Sequence, residues 1–248
     1  MSPNEYLVDT RKGDQMIHTD VLIIGAGVSG LSIAFHLADL APQLKITVVE
    51  KEKFPGLGST AHCTGGIRHQ FSSTVNVQMT MLSLPCFKKF AREMGYPVYF
   101  RQQGYLFTTA REETFAGLKG MASLLESLQV PVEILSPGDI AVRYPYIQSA
   151  DLAGGTFCPL DGYADPHGVV QGYFKEARRR GVQVLCEEKV LSITVSGGRV
   201  KGAVTGRREF EAGAVVNAAG PHLAEIAALA GITLPARPYR RQVYVCTP

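Results

Sequence analysis

The stretch DVLIIGAGVSGLSIAFHLADLAPQLKITVVE, residues 20–50, decides the fold of this chain. An apolar run leads into a glycine-rich turn at residues 25–30, a helical segment follows, and a second β-rich run ends in Glu50. This order of strand, glycine turn, helix, strand and acid is that of a βαβ unit that binds an adenine dinucleotide. The spacing therefore predicts a dinucleotide site at the end of the first strand.

The three glycines and the acid of this unit have separate physical roles. Gly25 allows the tight turn, Gly27 leaves room for a pyrophosphate, and Gly30 lets the helix pack closely on the sheet. The free N–H groups at the start of the helix face the phosphates, and Glu50 accepts hydrogen bonds from a ribose diol. An acid at this position favours NAD or FAD over NADP, because it repels a 2′-phosphate. The motif alone leaves NAD and FAD open.

Composition and charge place the chain among globular proteins. Of its 248 residues, 46% are hydrophobic and 19% are charged, and a net charge of +3 is too small to indicate nucleic acid or an anionic membrane as partner. No apolar run approaches the roughly 18 residues of a membrane span, and the N-terminal residues hold no signal-peptide core. The five cysteines are scattered without a CxxC pair, which predicts reduced thiols and a cytoplasmic setting.

Beyond the βαβ unit the chain divides into three parts. Residues 51–71 are rich in Gly, Ser and Thr and too irregular for a helix or strand, so we interpret them as a loop that wraps the cofactor. Residues 73–158 interrupt the βαβ order, which predicts an inserted second domain. The order then resumes with a helix at 165–180, a hairpin at 190–205 and a buried strand at 214–217.

Several local predictions concern less regular stretches. Pro85 predicts a kink or a break in the helix at residues 73–94. Residues 1–18 are polar and are expected to be a loose lead-in. Short strands are predicted at residues 98–100 and 105–108, which would form a hairpin, and at 209–211 and 239–246, the last without a partner downstream.

Five motifs follow one another along the chain: GAGVSG with Glu50, GSTAHCTGGIRHQF at 58–71, GYLF at 104–107, DGYADP at 161–166 and VNAAG at 216–220. Together they resemble FAD-dependent oxidoreductases of the D-amino-acid oxidase superfamily. Within it they are most similar to the branch of sarcosine oxidase, glycine oxidase and dimethylglycine dehydrogenase. Many folds share the first motif, whereas the loop and the NAAG strand are more specific. The resemblance covers residues from about 20 to 245.

The resemblance implies an α/β fold in which a FAD-binding Rossmann-like domain of the glutathione-reductase type carries an inserted, mostly antiparallel α+β substrate domain. It implies that residues 1–72 and 159–222 form the discontinuous FAD-binding domain, and that 73–158 and 223–248 belong to the substrate domain. Relatives in this branch continue further, so the substrate domain is expected to be incomplete and the chain to lack the C-terminal third. Unpaired strand edges would then invite aggregation or a partner subunit that completes the fold.

The resemblance also implies a site that holds noncovalent FAD, since the usual attachment positions are not matched at His62 or Cys63. Arg68 matches an arginine that, in this branch, lies near the flavin and holds a substrate carboxylate, to which a guanidinium fork is suited. The alternative is an arginine that braces the loop. No metal is expected, because His62 and Cys63 lack a third ligand. The implied cofactor-binding residues are Gly25, Gly27, Val28, Ser29, Gly30, Glu50, Lys51, Ser59, Thr60, Thr64, Gly65, Gly66, Ile67, Val190, Ala218, Ala219 and Gly220.

Three functions are open at this point. The first is an enzyme that oxidises the C–N bond of a secondary amine or amino acid, such as sarcosine, glycine or proline, by hydride transfer to flavin. The second is a noncatalytic FAD-binding subunit or fragment that needs a partner chain to complete the active site. The third is a nicotinamide-dependent dehydrogenase, which the inserted domain, the long loop and the late NAAG strand disfavour.

Overall fold

The structure is a computed structural model that describes residues 16–244, and these divide into two compact units. Unit 1 comprises the described residues through Cys63 together with Met94–Tyr96 and Pro166–Gln242, and unit 2 comprises Thr64–Glu93, Pro97–Asp165 and the residues from Val243. The elements in chain order are β1 (Met16–Ile24), α1 (Val28–Leu40), β2 (Ile46–Val49), β3 (Gly66–Ile67), α2 (Thr74–Met94), β4 (Tyr105–Thr109), α3 (Glu112–Ser127), β5 (Glu133–Leu135), α4 (Pro137–Arg143), β6 (Gly154–Cys158), β7 (Gly162–Tyr163), α5 (Pro166–Arg179), β8 (Gln183–Leu185), β9 (Val190–Ser196), β10 (Arg199–Thr205), β11 (Glu209–Asn217), a 3₁₀ helix (Gly220–His222) and α6 (Leu223–Leu229).

Unit 1 is built on a six-stranded sheet with the strand order β8-β2-β1-β11-β10-β9. β1 is parallel to both β2 and β11, and β8 is parallel to β2, whereas β10 runs antiparallel to both of its neighbours, β9 and β11. β2, with the sequence ITVV, is buried throughout, as expected for a parallel strand covered on both faces. The carboxyl ends of β1, β2 and β11 meet at one edge of the sheet, which is where ligands bind in folds of this class. This parallel-dominated sheet confirms the predicted α/β fold class.

Unit 2 contains a three-stranded antiparallel sheet in the order β4-β6-β5 and a two-stranded ladder in which β3 pairs with β7. β6 is central and buried along its whole length, with α3 and α4 packed against it. Val77 of α2, Leu125 of α3 and Cys158 of β6 belong to one apolar cluster. The β3–β7 ladder fixes the segment that precedes α2, and this segment carries Arg68.

α2 is a single helix, so of the kink or break predicted at Pro85 the break is wrong. A proline inside a helix removes only one backbone hydrogen bond, although its ring also strains the preceding turn. Leu84 and Phe90 are buried on the two sides of this position. Their burial keeps both halves of the helix in place.

The predicted hairpin of residues 98–100 and 105–108 is also wrong. Tyr99 has a φ of +46°, which a regular strand does not allow, and the carbonyl of Val98 accepts a hydrogen bond from the N–H of Asp165 at 2.7 Å. β4 pairs instead with β6, which is distant in sequence. Alternation in the sequence identified β4 but not its partner.

Two further strand predictions change. Residues 209–211 are not a separate strand, because β11 continues from Glu209 through Asn217 and pairs with β1 along its length. Residues 239–244 form no strand, and residues 245–246 of that predicted strand lie outside the described residues. Of the predicted lead-in, residues 1–15 likewise lie outside the described residues, whereas β1 begins at Met16.

The compact units divide the chain differently from the two predicted domains at four places. Met94–Tyr96, within the predicted substrate domain, group with unit 1. Residues 223–242 group with unit 1, because α6 packs against β9 and β11. Residues 64–72 and 159–165 group with unit 2, because β3 and β7 pair with each other. Among residues 16–244, no helix has the length and apolar character needed to cross a membrane.

Candidate functional site

A cavity of about 930 Å³ lies in unit 1 at the carboxyl ends of β1, β2 and β11. Its volume is within the range of small-molecule and cofactor sites. It is bounded by the glycine turn, the end of β2, the loop after β2, the start of β9 and the segment after β11. The predicted residues that line it are Gly25, Gly27, Val28, Ser29, Glu50, Lys51, Ser59, Thr60, Val190, Ala218, Ala219 and Gly220.

The glycines of the turn differ in what surrounds them. A Cβ on Gly25 would lie 2.5 Å from the carbonyl oxygen of Ala218, and one on Gly30 would lie 1.9 Å from the carbonyl oxygen of Gly25. These two glycines are therefore required by the chain itself, and Gly25 also has a φ of +106°. A Cβ on Gly27 would meet only the hydroxyl of Thr60, at 3.4 Å. The space beside Gly27 is thus left open by the protein, as a pyrophosphate requires.

The start of α1 is a helix N-terminus that faces this cavity and has no acidic residue in its own first turn. Its N-cap is Gly27, which has no side chain. The N–H of Val28 donates to the hydroxyl of Thr60 at 3.3 Å, and this exposed contact is the only side-chain partner recorded there among the described residues. Helix N-termini in this condition attract phosphate groups through their free N–H groups and dipole.

Glu50 lines the cavity with a carboxylate whose position is fixed by the backbone. Its Oε2 accepts a hydrogen bond from the N–H of Ala26 at 2.7 Å, and its Oε1 accepts one from the N–H of Glu52 at 3.0 Å. Each carboxylate oxygen can accept a second hydrogen bond. The side chain is therefore held in one orientation and can still receive hydroxyl donors, which fits the expected ribose diol.

Glu188, another cavity residue, was not found from the sequence. It is buried, it accepts a hydrogen bond from the hydroxyl of Thr205 at 2.5 Å, and it forms an ion pair with Arg208. Its N–H donates to the carbonyl of Glu50 at 2.7 Å, which joins the segment before β9 to the end of β2. The sequence offered only an acid before a strand, and the buried pairing depends on the folded sheet.

The rim of the cavity carries a chain of charged side chains. The Nζ of Lys51 lies 3.4 Å from the Nε2 of His222 and 3.3 Å from a carboxylate oxygen of Glu52. The Nδ1 of His222 lies 3.1 Å from a carboxylate oxygen of Glu225. His222 lines the cavity and is also the N-cap residue of α6.

The remaining predicted residues lie elsewhere. Gly30 packs behind the turn against Gly25 and does not line the cavity. Four predicted residues belong to unit 2, where the Gly65 carbonyl accepts a hydrogen bond from Ala164 and β3 pairs with β7. Their contact with a cofactor stays a prediction. These residues are Thr64, Gly65, Gly66 and Ile67.

Arg68 occupies an aromatic cage in unit 2. Its guanidinium carbon lies 5.4 Å from the ring centroid of Phe71, 5.6 Å from that of Tyr105 and 5.4 Å from that of Phe107. Rings at these distances attract a cation through their faces. Within the described part of the chain, no acidic side chain forms an ion pair with Arg68. The guanidinium is half-buried, held in place and not neutralised, which are the conditions for binding an anion.

The four cysteines among the described residues are free thiols. Cys63 is exposed and lines the cavity, whereas burial raises the pKa of the Cys158 and Cys186 thiols to about 12. Cys158 also belongs to a buried group with His69 and Asp161, whose ligand atoms lie within 4.8 Å of one another, close enough to hold a metal ion. The sequence did not predict this group, because its members are far apart along the chain.

Comparison with known proteins gives the same family along nearly the whole chain. The family model described as "FAD dependent oxidoreductase" matches residues 20–248. The pyruvate dehydrogenase phosphatase regulatory subunit, mitochondrial, of Mus musculus is 28% identical over 200 residues, which is 81% of this chain and 23% of that protein. The mitochondrial sarcosine dehydrogenase of Homo sapiens is 28% identical over 222 residues, which is 87% of this chain and 24% of that protein.

Among solved structures, L-proline dehydrogenase from P. horikoshii superposes with a TM-score of 0.76 at 30% sequence identity. The match covers 88% of this chain and 57% of that one. The chain thus spans about a quarter of the two curated relatives and little more than half of the solved structure.

Proposed function

Because this chain belongs to the family of FAD-dependent oxidoreductases, we propose that it supplies the FAD site and the substrate-carboxylate site of an enzyme that oxidises the C–N bond of an amino acid or secondary amine. FAD, when bound, supplies the hydride acceptor for this chemistry. The observation that carries the proposal is the cavity of unit 1, where an uncapped helix N-terminus and the fixed carboxylate of Glu50 line one space. Sarcosine- and proline-like substrates are favoured by the names of two relatives.

Different residues of the cavity are proposed to bind different parts of FAD. The turn at residues 25–30 and the N–H groups of α1 are proposed to bind the pyrophosphate, and Glu50 the ribose of the adenosine. The fixed position of Glu50 supports this role, since a preoriented acceptor loses little conformational entropy on binding. Val190 and the apolar side chains of α6 border the same space and suit the faces of an adenine ring. FAD is proposed to be noncovalent.

Arg68 is proposed to hold the substrate carboxylate. Three ring faces lie within 5.6 Å of its guanidinium carbon, and a guanidinium can bind a carboxylate through two parallel hydrogen bonds. An amine must be neutral before it can give up a hydride, and a nearby cation lowers the pKa of an ammonium group. Arg68 would therefore favour the reactive form of the amine as well as bind the carboxylate.

An anaerobic flavin titration tests the proposal. Purified protein is loaded with FAD, the visible flavin spectrum is recorded, and sarcosine, proline and glycine are added in turn without oxygen. We expect at least one of them to bleach the flavin absorbance. Bound flavin that none of these substrates bleaches would contradict oxidation by this chain and leave FAD binding intact.

A noncatalytic FAD-binding subunit is the second candidate. It is favoured by the similarity to a protein named as a regulatory subunit. FAD binding that is recovered only together with a second, co-purifying polypeptide would support this candidate over the first. A cytoplasmic location stays a prediction, and two relatives are named as mitochondrial.

A further inference from the structure

A cluster of buried polar side chains lies next to Arg68 in unit 2. His69, Gln70, Thr156 and Asp161 are each between 0% and 3% exposed. Burying a carboxylate is costly unless hydrogen bonds compensate for the lost water. Such a cluster must therefore be organised by its own hydrogen bonds.

Asp161 is the centre of this cluster. Its Oδ1 accepts hydrogen bonds from the backbone N–H of His69 at 2.6 Å and from the His69 ring Nδ1 at 2.8 Å, and its Oδ2 accepts one from the Gln70 side chain at 3.2 Å. Asp161 thus binds the two residues that directly follow Arg68. Its own carbonyl accepts a hydrogen bond from the N–H of Gly104 at 2.8 Å, which connects it to the start of β4.

Gln70 connects the same cluster to the cage of Arg68. Its side-chain amide also donates to the carbonyl of Tyr105 at 2.8 Å, and its side-chain oxygen accepts from the hydroxyl of Thr156 at 2.8 Å. Tyr105 provides one wall of the cage, and Phe107, on the same strand, provides another. The hydrogen bonds of Gln70 therefore set the distance between the backbone that carries Arg68 and the rings that hold its guanidinium.

We propose that Asp161 is a positioning residue which, through His69 and Gln70, fixes the Arg68 guanidinium for a carboxylate ligand. This inference rests on the proposed carboxylate-binding role of Arg68. The cluster acts before any ligand arrives, because its bonds hold the segment that carries Arg68 at both backbone and side chain.

His69, Cys158 and Asp161 could hold a metal ion, but the buried nitrogen and oxygen atoms of the cluster do not need one to be hydrogen-bonded. Among the described residues, every buried side-chain nitrogen and oxygen has a hydrogen-bond partner. The Oδ1 of Asp161 accepts hydrogen bonds from two N–H groups of His69. The cluster is therefore satisfied without an ion.

The test uses trifluoroacetate as a carboxylate probe and trifluoroacetamide as its uncharged counterpart, added to the FAD-loaded chain. Broadening of the fluorine NMR signal gives the Kd of each probe without requiring turnover. We expect D161N and H69A each to raise the Kd of trifluoroacetate by about tenfold, because small misplacements of a binding group are costly. H69N should restore binding, because the asparagine amide can donate where the ring Nδ1 does. D151N is the control: it makes the same chemical change at an exposed aspartate of unit 2 and should bind like wild type.

The outcomes separate this inference from the proposed function. A wild-type chain that does not prefer trifluoroacetate over the amide, or an R68A variant that still prefers it, would overturn the role of Arg68 and this inference with it. A wild type that prefers trifluoroacetate, together with unchanged binding in D161N and H69A, would overturn the inference alone. If D161N does not unfold cooperatively, H69A and H69N decide the question. A stoichiometric metal in wild type that is lost in H69A would also overturn it.

Discussion

Replacing Gly27 by alanine should weaken FAD binding without unfolding the protein. The new Cβ would meet only the Thr60 hydroxyl at 3.4 Å, and the backbone at Gly27, with φ −74° and ψ −177°, is one that alanine adopts freely. Alanine restricts the unfolded chain, which stabilises the protein, but it is a poorer N-cap residue than glycine, which destabilises it. These two effects are of similar size, so the free energy of unfolding should change by less than about 1 kcal/mol.

The effect on FAD arises because the same Cβ projects into the open space beside the start of α1. It would keep a phosphate from at least one N–H group there, and a hydrogen bond to a charged group contributes about 1.5–3 kcal/mol. The Kd for FAD should therefore rise by roughly 10- to 100-fold.

Quenching of FAD fluorescence gives this Kd, and thermal unfolding of the FAD-free protein gives the stability. G117A is the matched control, since Gly117 lies in α3 of unit 2 with open space around it. G30A is the contrasting variant, because its Cβ would lie 1.9 Å from a backbone oxygen and should destabilise the fold. A G27A protein that binds FAD as tightly as wild type would refute the placement of the pyrophosphate at this turn.

Four further predictions follow from the structure. E50Q should raise the Kd for FAD by about tenfold, because the glutamine amide has only one acceptor oxygen for the two backbone N–H groups and the ribose. FAD titrations that give the same Kd for E50Q and wild type would contradict this. R68K should raise the KM for an amino-acid substrate by about tenfold and leave the KM for dimethylamine, which lacks a carboxylate, unchanged. An equal rise in KM for both substrates would argue against a contact between Arg68 and the carboxylate. Iodoacetamide should label Cys63 and spare Cys158 and Cys186 until the protein unfolds. The pKa of the two buried thiols is raised from 9.0 to about 12, so these thiols lose their protons at lower pH in the unfolded state than in the folded state. The free energy of unfolding should therefore fall as the pH rises from about 9 to 12. This fall should be smaller in C186A, which lacks one of the two thiols.

The dinucleotide unit could be predicted because its signals are local. Gly25 and Gly30 are required by contacts within a few residues or with the adjoining strand, and the acid at the end of β2 is defined by spacing alone. The cap of α4 is local in the same way: Ser136 accepts from the N–H of Asp139, and Asp139 in return accepts from the N–H of Ser136. Patterns of this kind are readable from the sequence because both partners lie within one turn.

The features that were missed depend on contacts between distant residues. Glu188 pairs with Arg208 only because β9, β10 and β11 fold back on one another, and Asp161 meets His69 across 92 positions of the chain. The strand predictions at residues 98–100 and 239–244 were wrong for a related reason. Alternating apolar and polar residues indicate a strand but do not show whether another strand pairs with it. The cage of Arg68 likewise could not be foreseen, since its three rings come from two separate segments.

The cofactor released from the purified chain tests the central claim most directly. The protein is purified without added nucleotide, denatured, and the supernatant is separated by chromatography with fluorescence detection. The cavity of unit 1 and the family to which the chain belongs predict FAD, released free because it is not covalently attached. NAD in place of flavin would contradict the account, and so would a chain that neither contains FAD nor binds it when FAD is supplied.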